Sequence, residues 1–207
     1  MSHTLHRQGS VEELQHDFVV FAMPSSGLNS KGSEPKLRQV YQILKKHNPV
    51  NIGDSKNGSR FSFGSDEEVE AHIIENELVH GVFTSREQVI AVLKDLKEAD
   101  LGLSVTVSGL THTVAECCCE AGLTPHTIVQ SLGVVGRTEL LPEDDRITKM
   151  ATMCGHGMIS FNLIMDLVEK VKAGKLTAEA AAAKMAKPCI CGVFNPERAA
   201  NILKEFL

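Results

Sequence analysis

The placement of the cysteines is the strongest constraint on how this chain can fold. Residues 151–161, "ATMCGHGMISF", and residues 187–203, "KPCICGVFNPERAANIL", share one form: cysteine, glycine, then an apolar-periodic run that reads as a helix. Of the six cysteines none precedes Cys117; Cys117, Cys118 and Cys119 are consecutive, and Cys154, Cys189 and Cys191 occupy the two motifs. If the motifs serve one site, the fold must return Cys189 to Cys154 across 35 residues.

The residue types point to metal chemistry. Thiolate is the form that binds metal, and a helix start lowers a thiol's pKa through its exposed N–H groups and dipole. Cys154 and the pair Cys189/Cys191 each read as standing just before such a start. The neighbouring Gly155, Gly157 and Gly192 let backbone approach a cofactor closely and turn N–H groups towards sulfur. Two cysteines one residue apart do not match the usual zinc spacing, whereas a cubane offers each thiolate a different iron. The expected cofactor is therefore a 4Fe-4S cluster on Cys154, Cys189 and Cys191. Its fourth iron is either open or held from the 117–119 triplet, with Cys119 as the choice because it lies nearer the helix end. Successive helical residues point about 100° apart, so the triplet cannot converge on one point and otherwise reads as core packing.

His156, two residues from Cys154, is the candidate catalytic group, as ligand, acid/base or helix-end partner. His112 is a weaker candidate, and His126 and the histidines of the leader read as surface residues. An open iron acts as a Lewis acid for a lyase or sulfur-transfer reaction, while a fully ligated cluster carries electrons. Two alternatives stay open. One is a structural zinc site in a binding or assembly protein, on Cys154, His156, Cys189 and Cys191. The other is a metal-free thiol enzyme with Cys154 as nucleophile and His156 as base.

Composition narrows the partners. A net charge of −5 with no basic run argues against a nucleic-acid surface. The leader lacks the order of a secretory signal, and the most apolar helix candidate, 158–171, is broken by Asn162, Asp166, Glu169 and Lys170, so no membrane span is expected. The expectation is a cytoplasmic protein with free thiols, acting on a small molecule or a redox partner, and a homo-oligomer is compatible with it.

Periodicity predicts a mixed α/β fold. "DFVVFAMP" (17–24) reads as a buried strand. Leu37, Val40, Tyr41 and Leu44 place one apolar stripe on a helix over 35–47. One or two short strands fall within 50–65, and capping boxes at Ser65/Glu68 and Thr84/Glu87 start helices at 66 and 85. A strand at 101–110, a helix at 111–123 and a strand at 127–136 follow. Beyond about 142 the pattern is helical, with a Thr177 cap and an Asn195-Pro196 start to the last helix. The loops "SSGLNSKGSEP" and "GDSKNGSR" match no phosphate fingerprint and read as solvated. The expected architecture is a two-layer mixed α/β part over 1–140 and a helical, cysteine-bearing part over 141–207, packed as one unit.

"MCGHGMIS" followed by "CICGVFNPERAANIL" resembles the C-terminal signature of a cysteine-motif family of anaerobic microbes over about the last 60 residues. The resemblance implies an oxygen-sensitive iron–sulfur centre and names no substrate.

Overall fold

The computed structural model describes residues 7–125, 127–131 and 133–207. His3, His6 and His126 therefore lie outside the described residues. In chain order the elements are α1 (Val11–Leu14), β1 (Phe18–Met23), α2 (Glu34–Lys46), β2 (Asn51–Asp54), β3 (Gly58–Ser59), α3 (Arg60–Phe63), α4 (Asp66–Ala71), β4 (Val79–Phe83), α5 (Arg86–Ala99), β5 (Ser104–Ser108) and α6 (Thr111–Glu120). A 3-10 turn at Thr138–Leu140 precedes α7 (Asp145–Ala151), α8 (Phe161–Lys172), α9 (Ala178–Ala186) and α10 (Pro196–Lys204).

The fold is mixed α/β around one antiparallel sheet of order β3-β2-β4-β1-β5. Successive side chains of a strand point to opposite faces, and β1 is buried along both. Phe18, Val20 and Ala22 pack with Leu37, Tyr41, Val92 and Cys117, the apolar sides of α2, α5 and α6. Val19 and Phe21 pack instead with Met150, Ile164, Met185 and Phe194, from α7 to α9 and the loop before α10. The register pairs Phe21 with His80 and Gly53 with both His80 and Ser59. Phe21, His80, Gly53 and Ser59 thus form a cross-strand row on the face that the C-terminal helices cover.

Local chemistry sets the ends of the elements. Ser65, Ser160, Thr177 and Asn195 cap α4, α8, α9 and α10 by accepting the N–H three residues on. At α5 the cap is Ser85, which accepts from Gln88 N, one residue later than the Thr84 box implies. Asp54 closes the β2–β3 hairpin by accepting from the N–H groups of Lys56 and Asn57 at 2.8 and 2.7 Å. One expected strand is absent and one observed strand was not anticipated. The stretch expected as a strand, 127–136, has no regular structure at its described residues and exposes Ile128, Val129 and Val135. The central strand β4 went unread because His80 and Gly81 interrupt its apolar run.

One buried ion cluster ties the C-terminal helix to the sheet. Asp17, at the start of β1, meets Arg7 at 2.5 Å and Arg198 of α10 at 2.7 Å, and it accepts from Asn195 Nδ2 at 3.0 Å. Burial alone would raise its carboxyl pKa, but Arg7 and Arg198 overcome that and hold it below the ordinary 3.8. A carboxylate with a depressed folded pKa stabilises the fold above its unfolded value, and that contribution disappears as pH falls below 3.8. Asp17→Ala strands two buried guanidinium groups and is expected to cost about 3–5 kcal/mol in urea unfolding at neutral pH. The difference between wild type and variant should shrink on acidification; a constant difference would show that charge is not the cause.

Candidate functional site

The two cysteine motifs form the loops that join α7 to α8 and α9 to α10. Both loops come together on the face of the sheet that carries His80. Cys154, Cys189 and Cys191 are 2%, 0% and 3% exposed. Cys189 Sγ stands 3.9 Å from Cys191 Sγ, and Cys191 Sγ stands 3.5 Å from His156 Nδ1. The thiol of Cys189 also hydrogen-bonds Cys154. The four groups are thus joined pairwise: Cys154 with Cys189, Cys189 with Cys191, and Cys191 with His156. Among the described residues no set of three or more His, Cys, Asp or Glu side chains is gathered so as to hold a metal ion as it stands.

The cysteines are not at helix mouths. Cys154 follows α7 and precedes the first residue of α8 by seven positions, and Cys191 precedes Pro196 by five. Loop N–H groups, not a helix dipole, therefore act on the thiols. Cys154 is lowered to about 6, first by the hydrogen bond with Cys189, against the opposing effect of burial, and then by the N–H groups of Met158 and His156 and by the His156 ring. Cys191 is also lowered to about 6, by Cys189 first, against burial, and then by the N–H of Val193 and by His156. Cys189 is pushed far up because it hydrogen-bonds both neighbours and is itself buried. The hydrogen bonds thus pull the three thiol pKa values apart, with Cys154 and Cys191 lowered and Cys189 raised.

Glycine conformation matters at two of the three predicted positions. Gly157 and Gly192 have φ of +67° and +69°, a region that favours glycine. A methyl at Gly192 would stand 2.4 Å from Ser59 Cβ and 3.1 Å from His80 Nε2, so the Cys191 loop rests directly on the sheet. At Gly157 the same methyl meets nothing within 4 Å. Gly155 and Gly157 line a cavity of about 520 Å³ that has Cys154 in its wall.

The structure does not bring the triplet to this site. Cys117 and Cys118 belong to the apolar core on the opposite face of the sheet, where burial raises both thiols. Cys119 is exposed on α6, so the choice of Cys119 as fourth ligand has no geometric support. His112 is also on α6, exposed and 3.2 Å from Glu116. Sequence reading missed Ser59 and His80, both fully buried beneath Gly192. The signal for His80 was a histidine inside the apolar run "LVHGVF". No protein-family model, curated protein or solved structure matches the chain.

Two alanine substitutions separate contact from backbone strain. Gly157→Ala is expected to lose about 1–3 kcal/mol, from the left-handed conformation alone. Gly192→Ala adds a collision with the sheet that a packed interior accommodates for about 1–3 kcal/mol more. Urea midpoints should rank wild type, Gly157→Ala, then Gly192→Ala. Equal losses would show that the loop does not bear on Ser59.

Proposed function

We propose that this is a zinc-binding protein whose single tetrahedral site is built from Cys154, His156, Cys189 and Cys191. The observation that carries the reading is the pair of separations at Cys191, 3.9 Å to Cys189 Sγ and 3.5 Å to His156 Nδ1. With zinc–sulfur and zinc–nitrogen bonds of about 2.3 and 2.05 Å, the edges of a tetrahedron are about 3.8 Å between sulfurs and about 3.6 Å between sulfur and nitrogen. A cubane, which gives each thiolate its own iron, sets the sulfurs well beyond contact. The separations therefore favour one ion over the 4Fe-4S cluster expected from spacing.

The donor set suits the ion. Three thiolates and an imidazole are soft and borderline donors in the Cys₃His combination of tetrahedral zinc sites. Cys154 and Cys191 are lowered towards the thiolate form that binds metal, while Cys189 is raised. The ion would be held by Cys154 and His156 from one loop and by Cys189 and Cys191 from the other. The left-handed glycines Gly157 and Gly192 shape both loops. An ion held there would link the α7–α8 connection to the α9–α10 connection. The reading assigns no electron-transfer step.

Zinc titration of the reduced, metal-free protein is expected to give one ion per chain, a higher melting temperature, and release of one thiol proton per ion at pH 7.5. The proton count comes from calorimetry in buffers of different ionisation enthalpy. Cys154→Ser, Cys189→Ser and Cys191→Ser should each weaken binding sharply, while Cys119→Ser should not. A brown, iron-containing protein from anaerobic expression, with all three cysteines required, would overturn the zinc reading in favour of a cluster.

A further inference from the structure

One edge of the sheet has none of the features that normally guard an edge. β5 ends the strand order, and among the described residues no strand pairs with its outer side. An edge strand offers a row of N–H and C=O groups to any other strand, and proteins usually blunt it with a lysine, a proline, a bulge or a covering segment. β5 runs in unbroken register with β1, from Ser104 against Met23 to Ser108 against Val19, so no bulge interrupts it. No charged residue and no proline occurs between Leu101 and Leu110. Ser104, Val105 and Thr106 are exposed, so neither helix layer covers them.

The sequence of the edge selects its partner. Ser-Val-Thr-Val-Ser reads the same in both directions about Thr106. An antiparallel strand that matches it side chain for side chain is therefore a second β5, related to the first by a two-fold axis through Thr106. In that register Val105 meets Val107 twice, Ser104 meets Ser108 twice, and Thr106 meets its own copy. Pairs of β-branched and hydroxyl side chains are favourable cross-strand neighbours. The two-fold axis also closes the assembly, because each copy spends its one free β5 edge on the other.

Five residues of pairing bury too little by themselves, since a stable interface takes about 1,200 Å² or more. The flanks of β5 supply apolar surface. At its N-terminal end Asn29 Nδ2 donates to the Gly102 carbonyl at 2.6 Å, and the adjoining Leu28 is 88% exposed. At its C-terminal end Gln130 Nε2 donates to the Thr111 hydroxyl at 3.5 Å, and the adjoining Ile128 and Val129 are 64% and 72% exposed. Antiparallel pairing sets the N-terminal end of one β5 beside the C-terminal end of the other. Leu28 of each copy is thereby brought towards the Ile128–Val129 stretch of the other, apolar surface against apolar surface.

We propose that β5 is a dimer interface, along which two copies of this chain pair antiparallel about Thr106 and join their sheets into one. The inference is independent of the zinc reading. Sedimentation equilibrium of the full-length reduced protein is expected to give a dimer mass that falls towards the monomer on dilution. Thr106→Lys, at an exposed position, places two ammonium groups opposite one another at the axis and should weaken the dimer about tenfold or more. A second measurement reads the register directly and does not depend on that variant. In a Cys119→Ser background, which removes the exposed native thiol, Thr106→Cys should give a covalent dimer on mild oxidation, because directly opposed residues of an antiparallel pair have Cα atoms about 4.5–5.5 Å apart. Ser104→Cys should not, because its own copy lies about 14 Å away along the strand. A monomer at every concentration, a dimer indifferent to Thr106→Lys, or cross-linking at Thr106→Cys no greater than at Ser104→Cys would overturn the inference.

Discussion

The burial of β1 on both of its faces is the constraint on which the rest of the molecule depends. Phe18, Val19, Val20 and Ala22 are all fully buried, and Phe21 nearly so. A strand that is apolar on alternate and intervening positions cannot leave either face of its sheet in water. One face takes α2, α5 and α6, and the other takes the helices from α7 onwards. The cysteine loops reach one another because they connect helices that must all lie on that second face. The site is thus a consequence of how the sheet is covered, with Ser59 and His80 as the floor beneath Gly192.

Two polar devices then fix the loop that bears Cys189 and Cys191. At one end Gly192 lies against the sheet with no room for a side chain. At the other, Asn195 caps α10 through its Oδ1 and gives its Nδ2 to Asp17 and to the carbonyl of His16. Asn51 Nδ2 donates to the Phe194 carbonyl between them at 3.0 Å. The segment is pinned by buried hydrogen bonds and an ion cluster, interactions that lose far more when one partner is removed than they contribute as an intact set. That rigidity holds Cys191 where its sulfur can meet both Cys189 and His156.

Much of the secondary structure was legible because it is written in local chemistry. The stripe Leu37, Val40, Tyr41, Leu44 and the caps at Ser65, Thr177 and Asn195 depend on neighbours in sequence, and each is found where the pattern places it. β4 was not legible, since its identity as the central strand comes from pairing with β1 and β2, and a histidine and a glycine conceal its apolar character. The segment 127–136 failed in the opposite sense: it has strand composition, but none of its described residues pairs with a strand of the sheet. The grouping of Cys154, Cys189 and Cys191 could be anticipated from their shared motif form. Their placement within loops, the distances between sulfurs and the absence of Cys119 from the group could not, because these follow from tertiary packing.

The protonation pattern explains why such a trio would be kept. Two thiolates 3.9 Å apart repel by about 4 kcal/mol at an effective dielectric constant of about 20, so three adjacent sulfurs cannot all be charged in a buried site. The hydrogen bonds act against this repulsion by raising Cys189 while lowering Cys154 and Cys191. The N–H groups of His156, Met158 and Val193 and the His156 ring also lower Cys154 and Cys191. On the zinc reading proposed above, a divalent cation would relieve the same repulsion more completely by attracting all three sulfurs at once. Two separations in the site, 3.9 and 3.5 Å, are close to the edges of a tetrahedron, and the packing of Gly192 on the sheet is part of what gathers the thiols.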